Sequence, residues 1–343
     1  METTVKSSGN SSKKTQIIAS LLTVAVLVIV FGNILPKLGN YGSAIDEIKS
    51  MQQYQVLALL LFTVVNVLVY VFPYMAALPK LKYLPGFVLR QTSFLISNSV
   101  PGGGAFGIGV QASMLKDYGF SGSETSSGIV LTSVWNLLST VSLPGFAALV
   151  LLLTGQLDGD SAVKAITGLA IAVVSLGTFY IIIKSKNIAA TIGKALNLFV
   201  SRVLKIIRIK KAVNIDKLVS EFRDVAYKVT VERWHLLAVS NLAQQLSQFS
   251  VLFVALLILG VGEGTFATIL WSYALARLGS FIPLTPGGIG TVDALLVGML
   301  IQTGVPSEVA LASTLIWRFA TFIPQIFIGS VTFIYWRIKK NYT

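Results

Sequence analysis

The chain has 343 residues, of which 54% are hydrophobic and only 12% charged, and its formal net charge is +13. A soluble globular domain carries about 25% charged residues, so this composition excludes one. With no cysteine and a single histidine, His235, the inventory also excludes disulfides, thiol nucleophiles, iron–sulfur clusters and Cys/His zinc sites.

In chain order, a basic tail over 1–14 carries Lys6, Lys13 and Lys14 and precedes the charge-free run 15–36. That run exceeds the apolar core of a signal peptide and lacks an A-x-A cleavage site, so it reads as a retained first helix. Further charge-free runs occupy 50–79, 91–115, 125–157, 165–183 and 236–262. Each is long enough to span a bilayer, which takes about 20 apolar residues. The fold class is therefore an all-α polytopic membrane protein, with a first membrane half over 15–183 and a second over 234–338.

Lys and Arg near helix ends stay on the cytoplasmic side. Lys80, Lys82 and Arg90 place that loop inside, Asp158 and Asp160 mark an exterior loop, and Glu263 marks another. Between them, Lys184 to Arg233 carries twelve Lys/Arg against four Asp/Glu and must lie inside. Arg337, Lys339 and Lys340 return the C-terminus to the cytoplasm. Both termini are thus expected in the cytoplasm of a plasma-membrane protein. Within 184–233, Leu196, Phe199, Val200, Val203, Ile206 and Ile207 fall at helical spacing among basic residues, the pattern of an amphipathic surface helix. The positive-inside rule alone accounts for its charge.

This topology leaves apolar sequence over. An odd number of crossings joins Lys82 to Asp158, yet 87–115 and 125–153 are both membrane-like. The first contains V-P-G-G-G-A-F-G-I-G, which no continuous helix tolerates. It reads as a re-entrant hairpin, and a second is expected near 265–302, giving about six full spans plus two hairpins. The two share an order of features: Arg90-x-x-Ser93-Phe94 before Pro101-Gly102-Gly103, and Arg277-x-x-Ser280-Phe281 before Pro286-Gly287-Gly288. Ser-Glu, Trp and Pro follow each, at Ser123-Glu124, Trp135 and Pro144, and at Ser307-Glu308, Trp317 and Pro324. Loop charges start one copy inside and the other outside, the inverted repeat on which many transporters are built.

Arg277, Asp293 and Arg318 fall inside the apolar region 264–336, and Arg90 opens the first hairpin. A charge at membrane depth normally faces a polar interior and has a partner. Snorkelling anchors, structural ion pairs and ligand-holding groups compete as explanations, and Asp293 is the natural counter-ion of one arginine. Arginine suits phosphate through its planar fork. Half-helices starting after Pro-Gly-Gly would add backbone N–H groups, so Pro101, Gly102, Gly103, Thr285, Pro286, Gly287 and Gly288 join the candidate substrate site. Asn66, Asn136, Asn241, Gln244, Gln245 and Gln248 are further polar residues within spans, either lining a route or tying helices together. Gly102-x-Gly104-x-x-Gly107 matches a dinucleotide fingerprint but lacks the strand and βαβ context, so no cofactor is expected.

At L-A-R-L-G-S-F-I-P-L-T-P-G-G-I-G-T-V-D, residues 275–293, followed by Gly304-Val305 and Trp317-Arg318-Phe319, the sequence resembles the transmembrane region of lysylphosphatidylglycerol synthase/flippase proteins. The resemblance is specific over 265–335 and looser back to residue 15. In that family the acid after P-G-G-I-G is usually Glu, whereas here it is Asp293. The resemblance implies a non-enzymatic lipid flippase module whose partners are membrane lipids with an anionic headgroup. With only Lys339 to Thr343 after the last span, a stand-alone member without the synthase domain is expected. No nucleic-acid partner is expected, and a homo-oligomer is compatible with such a chain. A membrane-embedded transferase acting on a lipid-linked donor, and a small-solute transporter, remain the alternatives.

Overall fold

A computed structural model describes residues 40–99, 103–156, 159–185, 215–262, 265–282 and 286–341, with isolated positions 32, 37, 187 and 191. Every regular element among them is helical. The sequence-predicted span 15–36 and the amphipathic segment 196–207 lie outside the described residues, as do Pro101, Gly102 and Thr285.

The helices are α1 (Tyr41–Lys49), α2 (Gln53–Val69), α3 (Phe72–Ala77), α4 (Tyr83–Ser99), α5 (Gly103–Asp117), α6 (Gly122–Leu153), α7 (Gly159–Lys184), α8 (Ile215–Ile258), α9 (Phe266–Leu278), α10 (Thr291–Gln302) and α11 (Ser307–Asn341). Among the described residues, four stretches are long and apolar enough to cross a membrane: Gln53–Ala77, Gly122–Leu153, Ala226–Ile258 and Ser307–Lys339. Ile166–Ile182 and Thr291–Gln302 are shorter apolar helices.

Helix starts follow local chemistry. Ser121 caps α6, its hydroxyl accepting from the Glu124 N–H while the Glu124 carboxylate accepts from the Ser121 N–H at 2.9 Å. Asn40 caps α1 by accepting from the Gly42 N–H at 2.7 Å. The repeated Ser-Glu pairs therefore mark the first turns of α6 and α11. Helix α8 is interrupted at Arg233 (φ −130°, ψ 17°), where the basic segment meets the apolar span. The Arg233 guanidinium donates to the carbonyls of Met75 and Ala76 at 3.1 and 3.2 Å, satisfying groups at the end of α3.

Small residues set the closest approaches, as expected where lipid supplies no hydrophobic drive between helices. A Cβ on Gly145 of α6 would stand 3.0 Å from the Gly168 carbonyl of α7, so these helices touch backbone to backbone beside Pro144. The main core gathers Phe249 of α8, Tyr273 of α9, and Trp317 of α11 with Leu296 and Leu300 of α10. Tyr273 and Trp317 meet edge to face at 5.9 Å.

Each Pro-Gly-Gly stretch separates two antiparallel helices, α4 from α5 and α9 from α10. The first pair is closed at its base by the Lys80–Glu124 ion pair of 2.7 Å, and the Trp336 indole donates to Asp117 there at 3.0 Å. Arg233 binds at this same end. The second pair begins at Phe266, whose ring lies 5.0 Å from Phe253 near the far end of α8. From Arg233 to Phe253 the helix rises about 30 Å, so the bases of the two pairs lie toward opposite ends of α8. Their tips meet between, where a Cβ on Gly287 would lie 2.7 Å from Asn98 Oδ1.

The first tip is tight. A Cβ on Gly103 would sit 2.5 Å from the carbonyl oxygens of both Ile96 and Ser97, which are backbone and cannot swing aside. Gly103→Ala should lower stability by about 1–3 kcal/mol in thermal unfolding of the detergent-solubilised protein. Gly104→Ala, with nothing within 4 Å of the new methyl, should be neutral or slightly stabilising. Equal effects would mean that the tip is not packed as described.

Candidate functional site

A cavity of about 300 Å³ lies where the hairpin tips meet the spans. Arg90, Ser93, Phe94, Ser97 and Asn98 reach it from α4, Gln111 from α5, and Thr132, Ser133 and Asn136 from α6. Asn241, Gln244 and Gln248 come from α8, while α9 supplies Arg277 and α11 supplies Trp317, Arg318, Thr321 and Phe322. Gly287 closes it from the second tip. Arg318 stands about eleven residues into α11 and Asn136 about fourteen into α6, which puts the cavity roughly 15–20 Å along spans of that length.

The three arginines are held differently. Arg90 has its guanidinium carbon 4.4 Å from the centre of the Tyr70 ring and 4.8 Å from that of Phe94, so aromatic faces stand where a carboxylate is usual. Arg318 lies over Trp317 at 4.8 Å, and its Nε donates to Asp293 Oδ1 at 2.7 Å. Arg277 has no ion pair among the described residues. Its Nε is buried with no hydrogen-bond partner among the described residues, as is Nη2 of Arg318. Burying such N–H groups unsatisfied is costly, most of all on a charged group. Among the described residues, no acidic one lines the cavity.

Asp293 is 3% exposed at its side chain and lies beside the cavity, bonded to Arg318. Its second oxygen accepts from the Gly290 N–H at 2.6 Å, so one carboxylate fixes Arg318 and also closes the first turn of α10. The chain reaches this geometry through three left-handed residues, Gly287, Gly288 and Gly290, with φ of 64°, 66° and 90°. Side chains with a Cβ resist that conformation, which explains the glycines of P-G-G-I-G. Gly290 N–H, one of the donors expected to face a ligand, is engaged internally.

Of the sequence-predicted residues, Arg90, Arg277, Arg318 and Gly287 line the cavity. Gly288 is buried beside Ser280 and Val292, and Gly103 is packed on the turn before it. Pro286 starts the short turn at the second tip. The span polar residues divide. Asn66 ties α2 to Ser247 at 2.9 Å and Gln245 ties α8 to Thr140 at 3.0 Å, whereas Asn136, Asn241, Gln244 and Gln248 line the cavity. Sequence reasoning missed Tyr70, Tyr74 and Gln111. Gln111 could have been found as a polar residue in the charge-free run 91–115.

Comparison with protein families matches residues 16–329 to the one described as the lysylphosphatidylglycerol synthase TM region. The chain belongs to that family. No curated protein matches it. The match takes in both helix pairs and the described helices up to Gly329 of α11, and with them Arg90, Arg277 and Arg318 of the cavity. Membership and the apolar helices together make the chain a helical membrane protein, and a lipid-related transport role in general fits them.

Proposed function

We propose that the chain is a non-enzymatic lipid flippase of the plasma membrane that moves a phospholipid or lipid-linked anionic amphiphile between leaflets. The observation that carries this reading is the convergence of Arg90, Arg277 and Arg318 on one cavity with no acid in its lining among the described residues. A cavity of this charge at mid-span suits a phosphate-bearing headgroup crossing the bilayer.

The architecture supplies the access. The two helix pairs are re-entrant hairpins of an inverted repeat, entering from opposite faces and meeting at Asn98 and Gly287. With the charge-free run 15–36 counted from sequence, six spans surround them and both termini are cytoplasmic. Alternate exposure of the cavity follows if one hairpin rocks against the other. Arg277 and Arg318 hold the phosphate, each with an N–H that no group among the described residues occupies. Arg90, cushioned by aromatic rings, supplies a third positive charge without a competing carboxylate.

Reconstitution tests this. Proteoliposomes carrying a fluorescent anionic lipid should show protein-dependent access of that lipid to an impermeant quencher, above protein-free vesicles. Movement no faster than in protein-free vesicles would remove the flippase assignment.

A further inference from the structure

A second cavity of about 690 Å³ opens between α5 and α6, walled by Ile108, Ala112, Phe120, Ile129 and Val130. Ile129 also lines the arginine cavity, so one side chain stands between the apolar space and the polar one. Ile108 and Val130 are 52% and 41% exposed, which leaves the groove open along the outer surface of the helices. Its far end, at Lys116 and Ser121, adjoins the Lys80–Glu124 end of the molecule. An amphiphile placed across Ile129 has its headgroup among the arginines and its chain in the groove.

The charge of that headgroup follows from the cavity's own inventory. Three guanidiniums and one carboxylate meet there, since Asp293 pairs with Arg318 and with no other arginine. Two positive charges remain, on Arg90 and Arg277, and among the described residues neither has an ion pair. Uncompensated charges in a low-dielectric cavity are costly, and the ligand that relieves both carries two negative charges. We infer that the substrate is a lipid whose headgroup is a dianionic phosphomonoester or diphosphate, with its hydrocarbon chain seated in the α5–α6 groove. This rests on the flippase reading and narrows it, because a phosphodiester headgroup carries one negative charge and leaves one arginine unmatched.

Affinity measured on the detergent-solubilised protein tests it with three probes: dioleoyl phosphatidic acid, dioleoyl phosphatidylglycerol with the same chains, and inorganic diphosphate. At pH 8 the phosphomonoester is doubly charged, its second pKa lying near about 6. Phosphatidic acid should bind at least about tenfold tighter than phosphatidylglycerol, the ratio that one more charge-assisted contact implies. Arg90→Gln should collapse that ratio, and Arg90→Lys should preserve most of it because the charge survives. Val130→Trp, which fills the exposed groove, should weaken both lipids and leave inorganic diphosphate unchanged. Equal affinity for the two lipids would overturn the inference even where leaflet-to-leaflet movement is observed. So would inorganic diphosphate binding as tightly as phosphatidic acid, which would make the ligand a free anion. Selective binding of phosphatidic acid sustains the inference even where movement is absent, so the two readings fail separately.

Discussion

Asp293→Asn should cost about 3–5 kcal/mol of stability, because it leaves the Arg318 cation without its counter-charge in a site that is almost fully enclosed. The loss has two parts. Asp293 accepts from Arg318 Nε through one oxygen and from Gly290 N–H through the other. An amide offers one oxygen, and its NH₂ group faces whichever donor it does not serve. Either the first turn of α10 or the Arg318 contact is therefore lost. Thermal unfolding and the monodisperse fraction after solubilisation measure this. Arg318→Met in the Asp293→Asn background should recover part of the stability, since it removes the cation that Asp293 would have neutralised. Asp293→Glu should come closer to the native protein, because Glu is favoured at the third helical position. A loss by Asp293→Glu as large as that of Asp293→Asn would mean that the pocket, rather than the charge, sets the requirement.

Why the sequence yielded Asp293 but not its partner is instructive. Glycine and proline density alone breaks a helix, so a break between α4 and α5 and another between α9 and α10 could be expected directly from V-P-G-G-G and P-L-T-P-G-G. How far each break unwinds could not. Helix α4 runs helical to Ser99, whereas α9 stops at Leu278 and the chain passes through two short turns before α10. Before α10, Gly287, Gly288 and Gly290 adopt positive φ, a conformation that glycine permits but that the sequence does not by itself impose.

Partner choice is likewise a tertiary matter. Sequence spacing allowed Asp293 to neutralise either Arg277 or Arg318, and only the rotation of α11 about its axis brings Arg318 Nε to 2.7 Å. The Arg90 cradle was hidden for the same reason, since Tyr70 belongs to the end of α2 and Phe94 to α4. Arg90 lies so near Lys82 that a snorkelling anchor was as good a reading. At 8% exposure it lies buried among rings instead. Polar residues in spans were visible as a class, but whether each ties helices or lines the cavity depends on helix facing. Adjacent Gln244 and Gln245 illustrate it: both bond to α6, and only Gln244 lines the cavity.

Arg277→Gln should slow protein-dependent lipid movement by about 10–100-fold, the equivalent of the charge-assisted contacts it removes. Stability should change little. Among the described residues Arg277 has no ion pair, and its Nε is buried without a partner, so the native state already carries the cost of this charge. Removing an unpaired, half-buried cation relieves desolvation, and the variant should unfold at the native temperature or slightly above it. Arg277→Lys keeps the charge but loses the planar fork, and should retain part of the transport. The contrast with Asp293→Asn is the test of the assignment: one substitution should damage folding first, the other transport first. If Arg277→Gln instead lowers the unfolding temperature as much as Asp293→Asn does, Arg277 belongs to the scaffold of the second hairpin. Headgroup binding would then fall to Arg318 and Arg90. Arg318 could serve through its unpartnered Nη2 while its Nε stays on Asp293, since the guanidinium fork lets one arginine hold a structural carboxylate and a ligand at once.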